Sequence, residues 1–397
     1  MAFAKVFGNQ PECRFLRAEI TDTLRMVNDP KLPTSKSLSG SGRPVIAGVL
    51  VLGAAVLVIG GLALRSAMSP PSAASAGEKP LTTASAKAIE AALESAAKYQ
   101  RDGQFEQSST ILSKLVETNP QDPAIRRAYA QTLMGMKKYT PAYEQYEAAL
   151  ALQPPGTMQR IAAGKDEQAA QLHFEAGTCA SAAGMLDRSI EHYSMAQTAA
   201  PGEAKYPLYL AMVQIKRAGG TDPETESAAM ASLLRAAKLN PDLAEAWGTL
   251  AELELRRDQP GLAAQHIENA RKLQPAVAKW RLVEARILNR KGEAERAATL
   301  LLALDPSQRN QPAILTVLGE SYGLMRKPAE AAKLYADAFA ASGAANGDAG
   351  PNAEYAYQAA LWHERAGDKG NAAKFATSAS MLGHADAKDL SVRLKGK

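Results

Sequence analysis

A proline returns along this chain at a fixed distance. Pro120 and Pro154 are 34 residues apart, and so are Pro241 and Pro275. Pro201 and Pro306 continue the series. The intervals 154–201 and 201–241 are longer because they hold the insertions PGTMQRIAAGKDEQ and GGTDPETE. Self-similarity at this period indicates a stacked repeat, in which one unit cannot bury its apolar face alone and must pack on its neighbours. Each of these prolines is read as closing a helical run, because proline lacks a backbone donor and crowds the preceding turn.

Within a period the residues recur by size. The fifth unit reads AEAWGTLAELELRRDQPGLAAQHIENARKLQP, with Trp247, Leu250 and Ala251, then Ala263, Ile267 and Ala270 before Pro275. The second unit offers Tyr129, Ala130 and Leu133, then Ala142, Tyr146 and Ala149. The third has Gly177, Ala180, Tyr193 and Ala196; the seventh has Leu318, Gly319, Tyr322, Ala331, Tyr335 and Ala338. A small residue (Ala130, Gly177, Ala251, Gly319) is expected where the first helix of a pair touches the second. Another (Ala142, Ala263, Ala331) answers it. Gly103, Gly184 and Gly292 are expected to turn the chain between the two helices.

These residues resemble the tetratricopeptide repeat family over about residues 85–392, in about eight helix pairs. The first unit, where Ser108 replaces the expected alanine, the short sixth and the last match least well. The resemblance implies an all-α fold, a right-handed α-solenoid whose concave groove holds peptide or protein segments. Composition agrees with close helix packing: 46% of residues are apolar and only 6% aromatic, so Ala, the strongest helix former, carries much of the burial. No long segment alternates as a strand would.

Residues 45–64, VIAGVLVLGAAVLVIGGLAL, contain no charge, proline or polar side chain. Twenty helical residues reach about 30 Å, the thickness of a bilayer's hydrocarbon core. The run lacks the polar stripe of a buried soluble helix. It reads as one transmembrane helix, an uncleaved signal anchor between Arg43 and Arg65. The alternative is a cleaved, secreted protein, because Ala74-Ser75-Ala76 has the form of a cleavage site. Against it stand the 44 residues ahead of the run and Arg65 directly after it. Residues 1–44 read as a tail with an amphipathic helix near Cys13–Val27 and a flexible linker; 65–84 read as a second linker. Basic residues Lys31, Lys36 and Arg43 ahead of the span put the N-terminus in the cytoplasm. The solenoid is then extracytoplasmic, and periplasmic if the source is bacterial.

The net charge is +5. Residues 1–44 hold seven Lys or Arg against four acids, so little charge remains for the rest. A nucleic-acid binder needs a concentrated basic face, and none is expected. Two cysteines, Cys13 and Cys179, stand on opposite sides of the apolar run and read as lone thiols. Five histidines form no metal motif, although His173 and His192 fall on the two helices of one pair. No phosphate-binding loop or nucleophile motif occurs. No catalytic residue, metal or cofactor is expected. Acidic pairs such as Glu252 and Glu254 read as solvated surface.

Family resemblance places the first helix of each pair on the groove. Over units four to six that face carries Lys205, Leu208, Met212, Ile215 and Lys216, then Gly248, Glu252, Leu255 and Arg256. Lys279, Leu282, Arg286, Asn289 and Arg290 complete it. The expected partner-binding residues are Lys205, Met212, Lys216, Arg256, Lys279, Arg286, Asn289 and Arg290, an apolar strip with bases that can pair a partner's carboxylates. The plainer reading is that these charges solvate a helix face. The sequence therefore suggests a membrane-anchored interaction scaffold, with an accessory or assembly factor for an envelope enzyme as the alternative.

Overall fold

The structure is a computed structural model and describes residues 83–343 and 350–395. The expected tail, the apolar run 45–64 and most of the second linker lie outside the described residues. Among the described residues every regular element is a helix, and none is long and apolar enough to cross a membrane. Residues from Leu93 on belong to one compact unit, while Thr83–Ala92 belong to another.

Among the described residues the helices follow one another in eight pairs. They are α1 (Thr83–Arg101) with α2 (Phe105–Thr118), and α3 (Pro123–Gly135) with α4 (Tyr139–Ala151). After a short helix α5 (Thr157–Ala162) come α6 (Glu167–Ala182) with α7 (Leu186–Ala199), and α8 (Lys205–Ala218) with α9 (Pro223–Leu239). Next are α10 (Ala244–Arg256) with α11 (Pro260–Leu273), and α12 (Ala278–Arg290) with α13 (Ala294–Leu302). A single turn, α14 (Pro306–Arg309), precedes α15 (Pro312–Leu324) with α16 (Pro328–Ala341). The last pair is α17 (Gly350–Arg365) with α18 (Lys369–Met381), followed by α19 (Ala387–Lys395). From α3 on, the two helices of each pair pack together, and each second helix packs on the first helix of the next pair, except that α5 and α14 interrupt the chain order.

The termini follow local chemistry. Asp122 and Asp222 accept from the first free backbone N–H groups of α3 and α9, with Pro123 and Pro223 just inside, the arrangement expected of an N-cap followed by proline. Helices α2, α4, α7, α9 and α11 end two to three residues before the recurring prolines. Pro306 differs: it opens α14 rather than closing α13, which already stops at Leu302. In each pair the turn between helices contains a residue of positive φ. These are Gly103, Lys137, Gly184, Gly219, Asp258, Gly292, Arg326 and Gly367, with φ from 55° to 81°. Five are glycine, which adopts this conformation without a Cβ penalty.

The small residues sit where their spacing predicts. Ala130, Ala142, Ala251, Ala263 and Ala331 are fully buried. Gly177 and Gly319 admit something larger than an answering alanine: a Cβ on them would stand 2.9 Å from Tyr193 Cδ1 and 2.8 Å from Tyr335 Cε2. These two first helices, α6 and α15, thus carry a tyrosine ring of the partner helix against the backbone. Core clusters join neighbouring pairs, as where Ala251, Ala263, Ile267 and Ala270 pack with Trp280, Val283 and Ile287 of the next pair. Burying a side chain such as Ile267 is worth about 1.5–3 kcal/mol, so the contacts between neighbouring pairs add to those within each pair. Cys179 lies in such a cluster with Ala142 and Tyr146, and burial pushes its thiol up to about 12.

Candidate functional site

First helices lie side by side: α10 touches α12, and α12 touches α15. The expected partner-binding residues lie on the first helices α8, α10 and α12, and each has a definite environment. Lys205 Nζ donates to Gln171 Oε1 at 3.0 Å and stands over Tyr206 and Phe174. Lys216 Nζ reaches the Ser181 carbonyl at 3.5 Å. Arg256 Nη2 stands 2.7 Å from Glu226 Oε1. Lys279 lies between Glu245 and Glu252, at 3.6 and 3.8 Å, above the Trp280 ring. Arg290 pairs with Asp258 at 3.3 Å, and Arg286 is half-buried.

Two of the eight are interior. Met212 is 8% exposed and packs with Leu208 and Ile215 against α9. Asn289 is 5% exposed. Its amide donates to the Val317 carbonyl at 3.3 Å, and its oxygen accepts from Ser321 Oγ at 2.9 Å. Asn289 thus ties α12 to α15 of the next pair, while Met212 packs within its own.

Further ties run along the same face. Arg127 of α3 grips the buried Glu175 of α6, its Nε donating to Oε2 at 2.8 Å. Gln131 and Gln171 add bonds to that carboxylate. Almost every cation here meets an anion or carbonyl from an adjacent pair. The reading of Glu252 and Glu254 as solvated surface is corrected: they are 7% and 3% exposed. Glu254 accepts from His266 Nδ1 at 2.8 Å, and burial raises its carboxyl above the usual range. The repeat pattern marks position but not the stacked neighbour, so the spacing of the two acids does not reveal their burial.

The histidine pair that the spacing left open is in contact. His173 Nδ1 and His192 Nδ1 are 3.1 Å apart. The same offset of 19 residues brings Trp247 and His266 into a stacked contact two pairs along, so that signal was present in the sequence. Among the described residues no group of three or more His, Cys, Asp or Glu is placed to hold a metal ion.

A cleft of about 390 Å³ opens beside α11, α12 and α13. Ala264, Ile267, Ile287 and Leu288 are among its apolar lining, and its basic residues are Arg271, Lys272, Lys291 and Arg296. Arg271 is paired with Glu284, Lys272 with Glu268, and both Lys291 and Arg296 with Glu293.

No family model matches the chain, and no curated protein matches it. Solved structures do. A tetratricopeptide repeat protein from Parabacteroides merdae aligns with a TM-score of 0.50 at 16% identity, over 72% of this chain and 99% of that one. The C-terminal part of a repeat protein from Cytophaga hutchinsonii aligns with a TM-score of 0.43 at 13% identity, over 75% and 98%. YrrB, described as a TPR protein with an unusual peptide-binding site, aligns with a TM-score of 0.39 at 17% identity, over 55% and 95%. The P. merdae likeness and the eight helix pairs agree: the chain has a tetratricopeptide-repeat-like, all-α fold.

Proposed function

We propose that the protein is a membrane-tethered interaction scaffold whose first-helix face, from α8 to α12, holds an extended segment of a partner protein. The ladder of ties along that face carries the reading. Buried ties such as Asn289–Ser321 hold the helices in register. Arg290, 52% exposed with Asp258 at 79%, is left in a pair worth little in water. A partner carboxylate can replace Asp258 at small cost, and a bidentate arginine contact then gives orientation. The apolar run 45–64 supports a single-pass anchor with the N-terminus cytoplasmic and the repeats outside. Tethering raises the concentration of the face near membrane partners, so weak contacts suffice. Service to an envelope enzyme as an assembly factor is a special case of the same binding.

Site-specific photo-cross-linking from Lys216 and Arg290, with Leu262 of α11 as the outer-face control, tests the surface. One defined adduct from the first two positions supports it; adducts from Leu262 alone exclude it. Alkaline extraction of the intact chain, beside a chain lacking residues 45–64, tests the anchor. A mature mass beginning near Gly77 replaces the anchor with the secreted form that Ala74-Ser75-Ala76 favours.

A further inference from the structure

His173 of α6 and His192 of α7 meet head to head, and α4 of the preceding pair closes over them. Their Nδ1 atoms are 3.1 Å apart and their ring centres 5.4 Å apart. The second distance is the first plus the two ring radii, so the nitrogens lie on the line between the centres. A metal on that line needs about 4 Å between nitrogens, two bonds of roughly 2.0–2.1 Å. The gap has room for one hydrogen.

The partners decide which ring supplies it. His192 Nε2 stands 3.1 Å from Glu147 Oε1 and 3.1 Å from the Tyr143 hydroxyl, and the Tyr143 hydroxyl also bonds Glu147. A carboxylate only accepts. The Tyr143 hydroxyl gives its one proton to Glu147 and so accepts from His192 Nε2–H, which leaves the His192 Nδ1 lone pair to accept from His173 Nδ1–H. One added proton can be housed. It enters at His173 Nε2, and the shared Nδ1 proton can pass across the gap to His192 Nδ1. A second cannot, because it sets N–H against N–H and one imidazolium against another across 3.1 Å.

The surrounding charges do not remove this limit. From α7, Glu191 favours the charged form of His192 and Arg188 opposes it. From α4 come Glu147 and Tyr143. From α8, Lys205 is turned to Gln171, Phe174 and Tyr206. Burial above all, reinforced at His173 by the neighbouring ring, holds both imidazoles down at about 4.

We propose that the His173–His192 pair is a proton-operated latch at the junction of the second and third helix pairs. Holding at most one added proton, it ties α6 to α7 and, through Glu147 and Tyr143, to α4; with both rings charged, it opens. The latch stands independently of any partner on the first-helix face. Because a repeat stack is stabilised by nearest-neighbour interfaces, the opening is local. Its direction follows from linkage. Both groups bind a proton less readily in the folded chain than in the unfolded one, so the closed state has its full stability above the ordinary imidazole range. That stability is lost as pH falls from about 6.5 toward about 4.

The test uses the full chain in detergent micelles with 13C-ε1-labelled histidine, giving five signals, two of them assigned by His173→Gln and His192→Gln. The expected result is a coupled, two-step titration of these two signals, well below the ordinary imidazole range. Melting temperature should fall between pH 7 and pH 4 more steeply in the parent than in His173→Gln. Two independent curves at ordinary imidazole positions overturn the latch, and so does a pH slope unchanged in His173→Gln. If that variant does not fold, the titration of the parent decides alone.

Discussion

The indole of Trp280 occupies the place where residue 248 would carry a side chain: a Cβ on Gly248 would lie 2.1 Å from Trp280 Cζ3. Gly248 is on α10 and Trp280 on α12, so this contact sets how closely two successive pairs approach. Trp280 is 1% exposed and cannot move without opening the core beneath it. Gly248→Ala should cost about 1–3 kcal/mol by overpacking, and Trp280→Ala about 3–5 kcal/mol by leaving a cavity. The two costs should not add, because the alanine methyl fits the space the indole leaves. Urea unfolding of both single variants and the double variant measures this; strict additivity would show that the residues do not share the contact.

Lys137 and Arg326 hold the left-handed turn conformation, at φ 59° each, that glycine holds elsewhere in the series. Both are exposed, and a side chain there strains the backbone. Lys137→Gly and Arg326→Gly should each stabilise by about 0.5–1 kcal/mol, the relieved strain exceeding the extra freedom of glycine in the unfolded chain. Gly184→Ala, at φ 78°, should shift the midpoint the other way. Denaturation midpoints of the three variants check the signs.

Arg127→Met keeps the aliphatic stem but leaves the Glu175 carboxylate with only Gln131 and Gln171. A buried pair losing one partner costs about 3–5 kcal/mol. Arg127 is 39% exposed and water screens the loss, so about 1–2 kcal/mol is expected. Adding Glu175→Gln should recover most of it. A double variant less stable than Arg127→Met would mean that the pair is not the source of the cost.

Glu254 holds its proton more tightly folded than unfolded, because burial outweighs the bond from His266. The folded chain therefore binds more protons than the unfolded one above the ordinary carboxylate range, and this group's contribution weakens as pH rises through it. Glu254→Gln keeps an acceptor for His266 and removes the charge. Relative to the parent it should gain up to about 1 kcal/mol at pH 7.5, with the difference vanishing near pH 4. Thermal melts at the two pH values would refute the assignment if the variant lost stability at the higher one.

The order of helix pairs was legible in the chain. Prolines 34 residues apart, alanines at the crossing points and glycines in the turns are local requirements of helix ends and close backbone approach, and they recur because every pair solves the same problem. Even the histidine contact had a sign, since the 19-residue offset from His173 to His192 matches that from Trp247 to His266. What lay beyond the pattern is which polar groups end up inside. Glu252 and Glu254 look alike on paper, yet one is buried beside Lys279 and the other against His266. Asn289 looks like a groove residue but turns to Ser321 of the next pair. Helical period is set by residues within a few turns of one another, so sequence determines it. The burial and charge state of a polar side chain are set by the surface stacked upon it, often some thirty residues away, and only the packed structure brings that surface to it.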